Sequence, residues 1–341
     1  MRAFQFIRKI RMQSIGPYVL NNSLFLAPMV GVSDTPFREM CSESGAGLTI
    51  AEMLTCNVEL WSNERNRLKQ VKPKISGPHV IQIAGADPTM LSEAAQLNVQ
   101  LGASAIDINM GCPAKKVLKK AAGSALLKDV SLIKNILKTV TASVEVPVTL
   151  KIRTGWNKEN RNGVEVAKIA EDCGVQLLTV HGRTRECRFR GEAEYDTIAK
   201  IKQNISIPVV ANGDIDSPIK AKKILEHTKA DGLMIGRAAM GRPWIFEEIN
   251  HYLVTGIPKS EPNVFEKLRI IESHLKKLQS FYGETKGVWY ARKHVAGYVK
   301  NLPNSKQFLS HFNKLQDGPA QLDNLKSYFE NLAIDDGAIA A

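Results

Sequence analysis

The chain holds only five cysteines, an odd number, and no two of them form a Cys-x-x-Cys pair. A disulfide framework and a thiolate zinc site are both disfavoured, and no metal is expected. No run reaches the roughly 18 apolar residues that a membrane span needs. The stretch between Arg2 and Arg8 is likewise too short for the core of a signal peptide. Also missing is a Gly-x-Gly-x-x-Gly turn after the first apolar run, which a doubly wound dinucleotide-binding sheet would carry. Acidic residues are few, 34 against 46 basic ones, giving a net charge of +12 and a pI near 9.4. Such an excess marks a polyanionic partner, nucleic acid first, although a merely basic surface is the plainer reading. These absences point to a cytoplasmic protein with no membrane partner.

From Leu24 onward, short β-rich runs alternate with amphipathic helical stretches, the pattern of βα units around a parallel sheet. Eight strands are expected: Leu24–Met29, Leu48–Met53, His79–Ala84, Ala105–Asn109, Val148–Arg153, Leu177–His181, Val209–Asn212 and Gly232–Gly236. Asp34 and Asp87 read as helix caps, each just ahead of a proline in the first turn. Eight strand-helix repeats over about 220 residues suit a (β/α)8 TIM barrel, an α/β fold, placed here at residues 24–254. Residues 1–23 read as an N-terminal extension and lead-in. Residues 1–11 are expected to lie outside the fold, because Met12 offers a second start and the strand pattern opens only at Leu24.

After Trp244 the pattern changes. Gly256, Pro258 and Pro262 break the chain, and only helices follow. Asn263 with Glu266 spells a capping box, and Leu268, Ile271, Leu275 and Leu278 form one apolar face ending at Gly283. Further helices near Val288–Asn301, Ser305–Leu315 and Pro319–Leu332 complete a small four-helix bundle at 263–335, with a frayed tail from Ala333.

Chemistry gathers at the strand ends, which in a barrel all open onto one face. Ala105–Pro113 is a buried-type strand that stops in Asn109-Met-Gly-Cys112-Pro, so Cys112 sits on a stiff loop. A thiol with an ordinary pKa of roughly 8.5 is mostly protonated near neutrality and can donate a proton as well as attack; a small core hydrophobe is the alternative. Asn212-Gly213-Asp214 and Gly236-Arg237 occupy the usual phosphate-binding position of such barrels. Lys151 would be costly to bury unless it faced an anion. His181 reads as a ligand of the same phosphate or as a satisfied core histidine.

At this point the chain resembles the tRNA-dihydrouridine synthases, flavin-dependent barrel enzymes, and among them the bacterial B-type. The resemblance rests on Ala27-Pro-Met29-Val-Gly-Val-Ser-Asp-Thr-Pro-Phe-Arg38, Gln82-Ile-Ala-Gly85, Asp107-Ile-Asn-Met-Gly-Cys-Pro-Ala-Lys-Lys116, Leu150-Lys-Ile-Arg-Thr-Gly155, Val180-His-Gly-Arg-Thr184, Ala211-Asn-Gly-Asp214 and Gly236-Arg237. These span nearly the whole barrel; the Asn-Met-Gly-Cys-Pro and Lys-x-Arg elements are the specific ones. The departure is Val30, where the family commonly has Ala, and it is expected to adjust the wall beneath the flavin.

The resemblance implies an FMN held by Pro28, Met29, Gln82, Lys151, His181, Asn212, Gly213, Asp214, Gly236 and Arg237, with NADPH or NADH as hydride source. It implies reduction of the C5–C6 double bond of a tRNA D-loop uridine, with Cys112 protonating C5 after hydride reaches C6. Asn109 and Arg153 are the candidates for the uracil edge, since amide and guanidinium groups match its carbonyls and imide. A uridine in folded RNA must be swung out to reach a barrel mouth, so basic residues should surround it. Lys115, Lys116, Lys119 and Lys120 follow the cysteine, and Arg183, Arg185, Arg188 and Arg190 follow the sixth strand. Arg292, Lys293, His294, Tyr298 and Lys300 form a basic, partly aromatic helical segment suited to phosphates and stacking. A monomer acting on tRNA is expected. Two rivals are a flavin barrel for free dihydropyrimidine or dihydroorotate and a non-catalytic RNA-binding protein. The +12 charge disfavours the first, and the joint presence of Cys112, Lys151 and the phosphate elements disfavours the second.

Overall fold

A computed structural model describes residues 14–335. The expectation for residues 1–11 falls outside that range. Eight parallel strand positions form the sheet: β1 Leu24–Leu26, β2 in two pieces at Leu48–Thr49 and Leu54–Thr55, β3 Val80–Ala84, β4 Ala105–Met110, β5 Val148–Arg153, β6 Leu177–His181, β7 Val209–Asn212 and β8 Gly232–Ile235. β8 pairs with β1, so the ring turns back on itself. The expected continuous strand Leu48–Met53 is broken because it must serve two diverging neighbours. Its first piece pairs with β1, its second with β3, and Ile50 bridges Val80 between them.

Phe25, Leu48, Ile50, Val80, Ala105, Leu177, Val210 and Met234 fill the barrel interior. A short antiparallel hairpin, Ser14–Ile15 with Tyr18–Val19, adds Ile15 and Leu20 to the same cluster. The lead-in to Leu24 is thus part of the fold, because a barrel bottom left open would expose this apolar layer.

The helices begin where the sequence supplies caps. Asp34 accepts from the Phe37 amide to open α1 (Thr35–Glu43), and Asp87 accepts from Met90 to open α3 (Pro88–Gln100), which follows the short α2 (Glu64–Gln70). Around the barrel run α4 (Lys115–Leu118), α5 (Val130–Ser143), α6 (Gly163–Asp172), α7 (Asp196–Asn204), α8 (Pro218–Thr228) and α9 (Ile245–Thr255). Their apolar faces, such as Ile133, Ile136, Leu137 and Val140 of α5, cover the outside of the sheet.

Four further helices follow: α10 (Val264–Tyr282), α11 (Glu284–Val299), α12 (Ser305–Phe312) and α13 (Gly318–Asp335). The capping box is formed, with Asn263 and Glu266 each bonding the other's backbone. Ile271, Leu275, Leu278, Ala291, Val295, Phe312, Leu325 and Phe329 make a second core, which Trp244 from the barrel side joins. Ala333 is fully buried within α13, so the tail does not fray from that residue; its methyl group belongs to the packed face.

The helical set is anchored on the barrel. Lys277 pairs with Glu39 and Glu43, Lys286 with Glu64, and the Tyr282 hydroxyl donates to Asp34. Gly241, at φ +72, lets the chain after β8 lie directly against α11 at Gly297. A Cβ there would stand 2.1 Å from the Gly297 carbonyl carbon and 2.4 Å from the Tyr298 nitrogen.

Candidate functional site

The strand ends and their loops surround a cavity of about 940 Å³ at the barrel mouth. Pro28, Met29 and Val30 line it from the loop after β1, Gln82 from β3, Asn109 and Cys112 from β4, and Lys151 and Arg153 from β5. His181 follows from β6, Asn212, Gly213 and Asp214 from β7, and Gly236 and Arg237 from the loop after β8. Every residue that the sequence assigned to the cofactor therefore borders one space. Its volume lies in the range of ordinary ligand pockets.

The cysteine loop is clamped by its own neighbours. The backbone N–H groups of Gly111 and Cys112 both donate to Asn109 Oδ1, at 3.2 and 2.9 Å. The Cys112 carbonyl accepts from Ser124 Oγ at 2.9 Å. Behind this runs a chain of fixed polarity: Asn109 Nδ2 donates to Gln82 Oε1 (2.9 Å), and Gln82 Nε2 donates to Asp107 Oδ2 (2.6 Å). The Thr149 hydroxyl donates to the other Asp107 oxygen at 2.6 Å. Burial pushes the Asp107 carboxyl pKa upward, while these two donors and Lys151 pull against it. An acceptor at the end of this chain fixes which way each amide faces.

Cations line the next strands round the mouth, with Lys151 in register beside Asn109. Burial, reinforced by Arg153, pushes the Lys151 pKa down to about 8, while its Nζ donates to Asn212 Oδ1 at 3.1 Å. Burial and the surrounding Arg153, Lys151, Arg183 and Arg237 drive His181 well below its usual range, so it is neutral at pH 7. The walls around Gly213 are close: a Cβ there would lie 3.0 Å from His181 Cδ2, whereas at Gly236 it would have no neighbour within 3.5 Å. A partly dehydrated ammonium, an outward guanidinium on Arg237 and an open glycine backbone at Gly236 fit the anionic groups of a flavin mononucleotide.

Several expected roles shift. Arg153 lines the cavity, but its Nε donates to the Gly111 carbonyl at 2.7 Å and its Nη1 to the carbonyls of Thr184 and Arg188. It braces the cysteine loop, because a buried guanidinium must satisfy its donors locally. Arg183 is buried and grips Asp214 with both Nη atoms, at 2.9 and 2.6 Å. It is an internal strut, not a residue on the rim. Asp214 also accepts from the Ala193 amide and from Arg237, so its oxygens are spent on Arg183, Ala193 and Arg237. Burial raises the Asp214 pKa, but the Arg183 hydrogen bond, the Ala193 amide and the charges of Arg183 and Lys220 together outweigh it and hold the carboxyl below the ordinary value.

In the helical segment, Tyr298 is buried, with its hydroxyl 3.1 Å from His274 Nδ1, and cannot stack on a base. His294 is buried as well, and Arg292 donates to the Leu315 carbonyl. Lys293 and Lys300 are exposed. Lys300 reaches the cavity itself, and Lys293 Nζ lies 3.6 Å from where a Gly31 side chain would begin.

Residues that the sequence reading passed over are Asp107, Thr149, Ser124 and Phe189. Phe189 is half-exposed at the cavity edge, its ring 5.4 Å from the Arg153 guanidinium and 5.3 Å from that of Arg237. Its signal was visible as a lone aromatic between Arg188 and Arg190.

The family model for dihydrouridine synthase (Dus) matches residues 25–333. A protein named tRNA-dihydrouridine synthase B from Pseudomonas aeruginosa is 57% identical over 315 residues, 92% of this chain and 95% of that one. One of the same name from Escherichia coli (strain K12) is 53% identical over 319 residues, 94% of this chain and 99% of that one. Among solved structures, an old yellow enzyme homologue from Zymomonas mobilis superposes with TM-score 0.51 at 13% identity, covering 76% of this chain and 95% of that one. Histamine dehydrogenase from Rhizobium sp. 4-9 superposes at TM-score 0.55 and 14% identity, over 79% of this chain and 50% of the other. The two structural likenesses speak for the barrel alone, whereas a family match across residues 25–333 and full-length identity above one half place the chain in the dihydrouridine synthase family.

Proposed function

We infer that this protein reduces the C5–C6 double bond of a tRNA D-loop uridine to 5,6-dihydrouridine, using FMN and taking its electrons from NADPH or NADH. The observation that carries this reading is the placement of Cys112 on a clamped loop at the same cavity that Lys151 and Arg237 line with positive charge. Lys151, Asn212, Gly236 and Arg237 would hold the cofactor, with Pro28, Met29, Val30 and Gln82 against its ring and neutral His181 beside its phosphate. Reduced FMN, when bound, supplies hydride to C6 of the uracil.

The chain's own groups do the rest. Cys112 Sγ gives its proton to C5, and the Asn109 clamp keeps the thiol from drifting with its loop. The rim residues Lys115, Lys116, Lys119, Lys120, Arg188, Arg190, Lys293 and Lys300 are exposed and suit RNA phosphates around the mouth. Phe189 offers an aromatic edge to an extruded base. The reading places the protein in the cytoplasm as a monomer with its tRNA.

Two observations test it together. Purified protein should carry a yellow, noncovalent flavin, and tRNA from a deletion strain should lose dihydrouridine at one mapped position and regain it on complementation. Unaltered dihydrouridine in that tRNA would refute the assigned substrate.

A further inference from the structure

Outside the residues that line the mouth cavity, where the helices meet the barrel, lies a second cluster of polar groups that the proposed reaction does not use. Asp34 at the start of α1, His274 on α10 and His294 on α11 are all more than nine-tenths buried. One donor atom from each lies within 4.8 Å of the other two. His294 Nε2 stands 3.6 Å from Asp34 Oδ2. That is too long for a good hydrogen bond and close to the separation of about 3.4 Å between two tetrahedral ligands at zinc bond lengths.

The hydrogen bonding around the cluster leaves its centre unpaired. Asp34 Oδ1 is spent on capping α1 through the Phe37 amide, leaving Oδ2 facing the histidines. The Tyr282 hydroxyl donates to that Oδ2 at 3.1 Å and orients it. His274 Nδ1 lies 3.1 Å from the Tyr298 hydroxyl. With that hydroxyl as acceptor, Nδ1 carries the proton and Nε2 keeps a bare lone pair. Neither His274 Nε2 nor His294 Nε2 has a hydrogen-bond partner, although both atoms are buried. Buried polar atoms are nearly always satisfied, so two orphaned ring nitrogens in a cluster with one carboxylate call for a missing partner. An ion pair between Asp34 and a protonated His294 would answer for one of them and leave His274 Nε2 unexplained.

We propose that Asp34, His274 and His294 form a binding site for a divalent cation of the zinc class, pinning the helical bundle to the barrel. Two imidazoles and a carboxylate are a common three-residue ligand set, with water in the fourth position. The Tyr298 and Tyr282 hydroxyls supply the outer contacts that fix ligand orientation in such sites. No metal was expected from the sequence, which holds no Cys-x-x-Cys pair. The three ligands come from one barrel helix and two bundle helices, and only the packed structure brings them together.

The test uses the intact protein and the metal alone. Full-length protein purified without chelator from zinc-supplemented cells should contain about one zinc per chain by plasma mass spectrometry. After mild chelation, added cobalt(II) should give tetrahedral visible absorption at wavelengths beyond the flavin bands. Chelation should lower the melting temperature, and zinc should restore it. His274→Gln and His294→Gln should each abolish the cobalt absorption. Wild-type protein with neither bound zinc, nor cobalt absorption, nor any zinc-dependent melting shift would overturn the site. Cobalt absorption that survives both substitutions would place the metal elsewhere and overturn it equally.

Discussion

Lys151 shows how much of the site's behaviour rests on single side chains. Its pKa of about 8, set first by burial and then by Arg153, lies far below the ordinary lysine value. In the protein without flavin the folded state binds this proton more weakly than the unfolded chain does. The resulting penalty is complete below pH 8 and fades as pH rises from there towards the unfolded value of roughly 10.4. An anion bound beside Lys151 favours the charged form, so affinity for FMN should be flat below about pH 8 and decline above it. Lys151→Met should bind FMN more weakly and lose that decline. The check is flavin fluorescence titration between about pH 6 and 9.5; an unchanged slope in the variant would remove Lys151 from the cofactor's surroundings. The sequence displayed Lys151, Cys112 and the glycine turns directly, because their residue type and strand-end position suffice to suggest their chemistry. It did not display the roles of Arg183 or Tyr298, because those depend on partners 31 and 24 residues away.

At the scale of elements, β3, β4 and β5 act together through Asp107. An amide in its place offers one acceptor where the carboxylate offers two, so Asp107→Asn should set a donor against the Gln82 or Thr149 donor. Gln82 and then Asn109 would turn over, releasing the Cys112 amide. Displacing a reacting group by about 1 Å costs on the order of 100-fold. Turnover of folded Asp107→Asn should therefore fall roughly 10- to 100-fold, and a wild-type rate would show that the chain of amides is not needed. The crossing of the post-β8 segment and α11 makes a separate forecast. Gly241→Ala forces a Cβ into the Gly297 backbone at positive φ, which should destabilise by at least about 2 kcal/mol. Denaturant unfolding checks it, and stability within 0.5 kcal/mol of wild type, the span of an ordinary surface change, would contradict the tight crossing. Elements with a clear cap or a continuous β-rich run, such as the start of α3 at Asp87 and the whole of β5, were legible in the sequence. The hairpin before Leu24 and the split β2 were not, since two-residue strands leave no periodicity to read.

For the whole molecule, the net charge is +12, and the proposed function assigns eight exposed basic residues to the rim of one opening. Of the basic helical segment, Lys293 and Lys300 remain free on the surface beside the cavity, while Arg292 is tethered to Leu315. Neutralising Lys293 and Lys300 together should weaken tRNA binding and flatten log affinity against log salt by roughly 1–2 units, leaving flavin reduction by NADPH intact. An unchanged slope would remove that corner from the RNA surface. The barrel itself was readable from eight strand-helix repeats, yet the junction that seats the bundle beside the mouth arises from contacts across more than 200 residues, such as Lys277 with Glu39. In the proposed reaction Cys112 at this mouth donates the proton to the uracil. Single-turnover oxidation of the reduced flavin by tRNA, followed on folded Cys112→Ala protein, tests it most directly. The account predicts normal FMN content, normal tRNA affinity and normal reduction by NADPH, with uracil reduction slowed by about 10²–10⁴-fold. A wild-type rate of flavin oxidation by tRNA in that variant would contradict it.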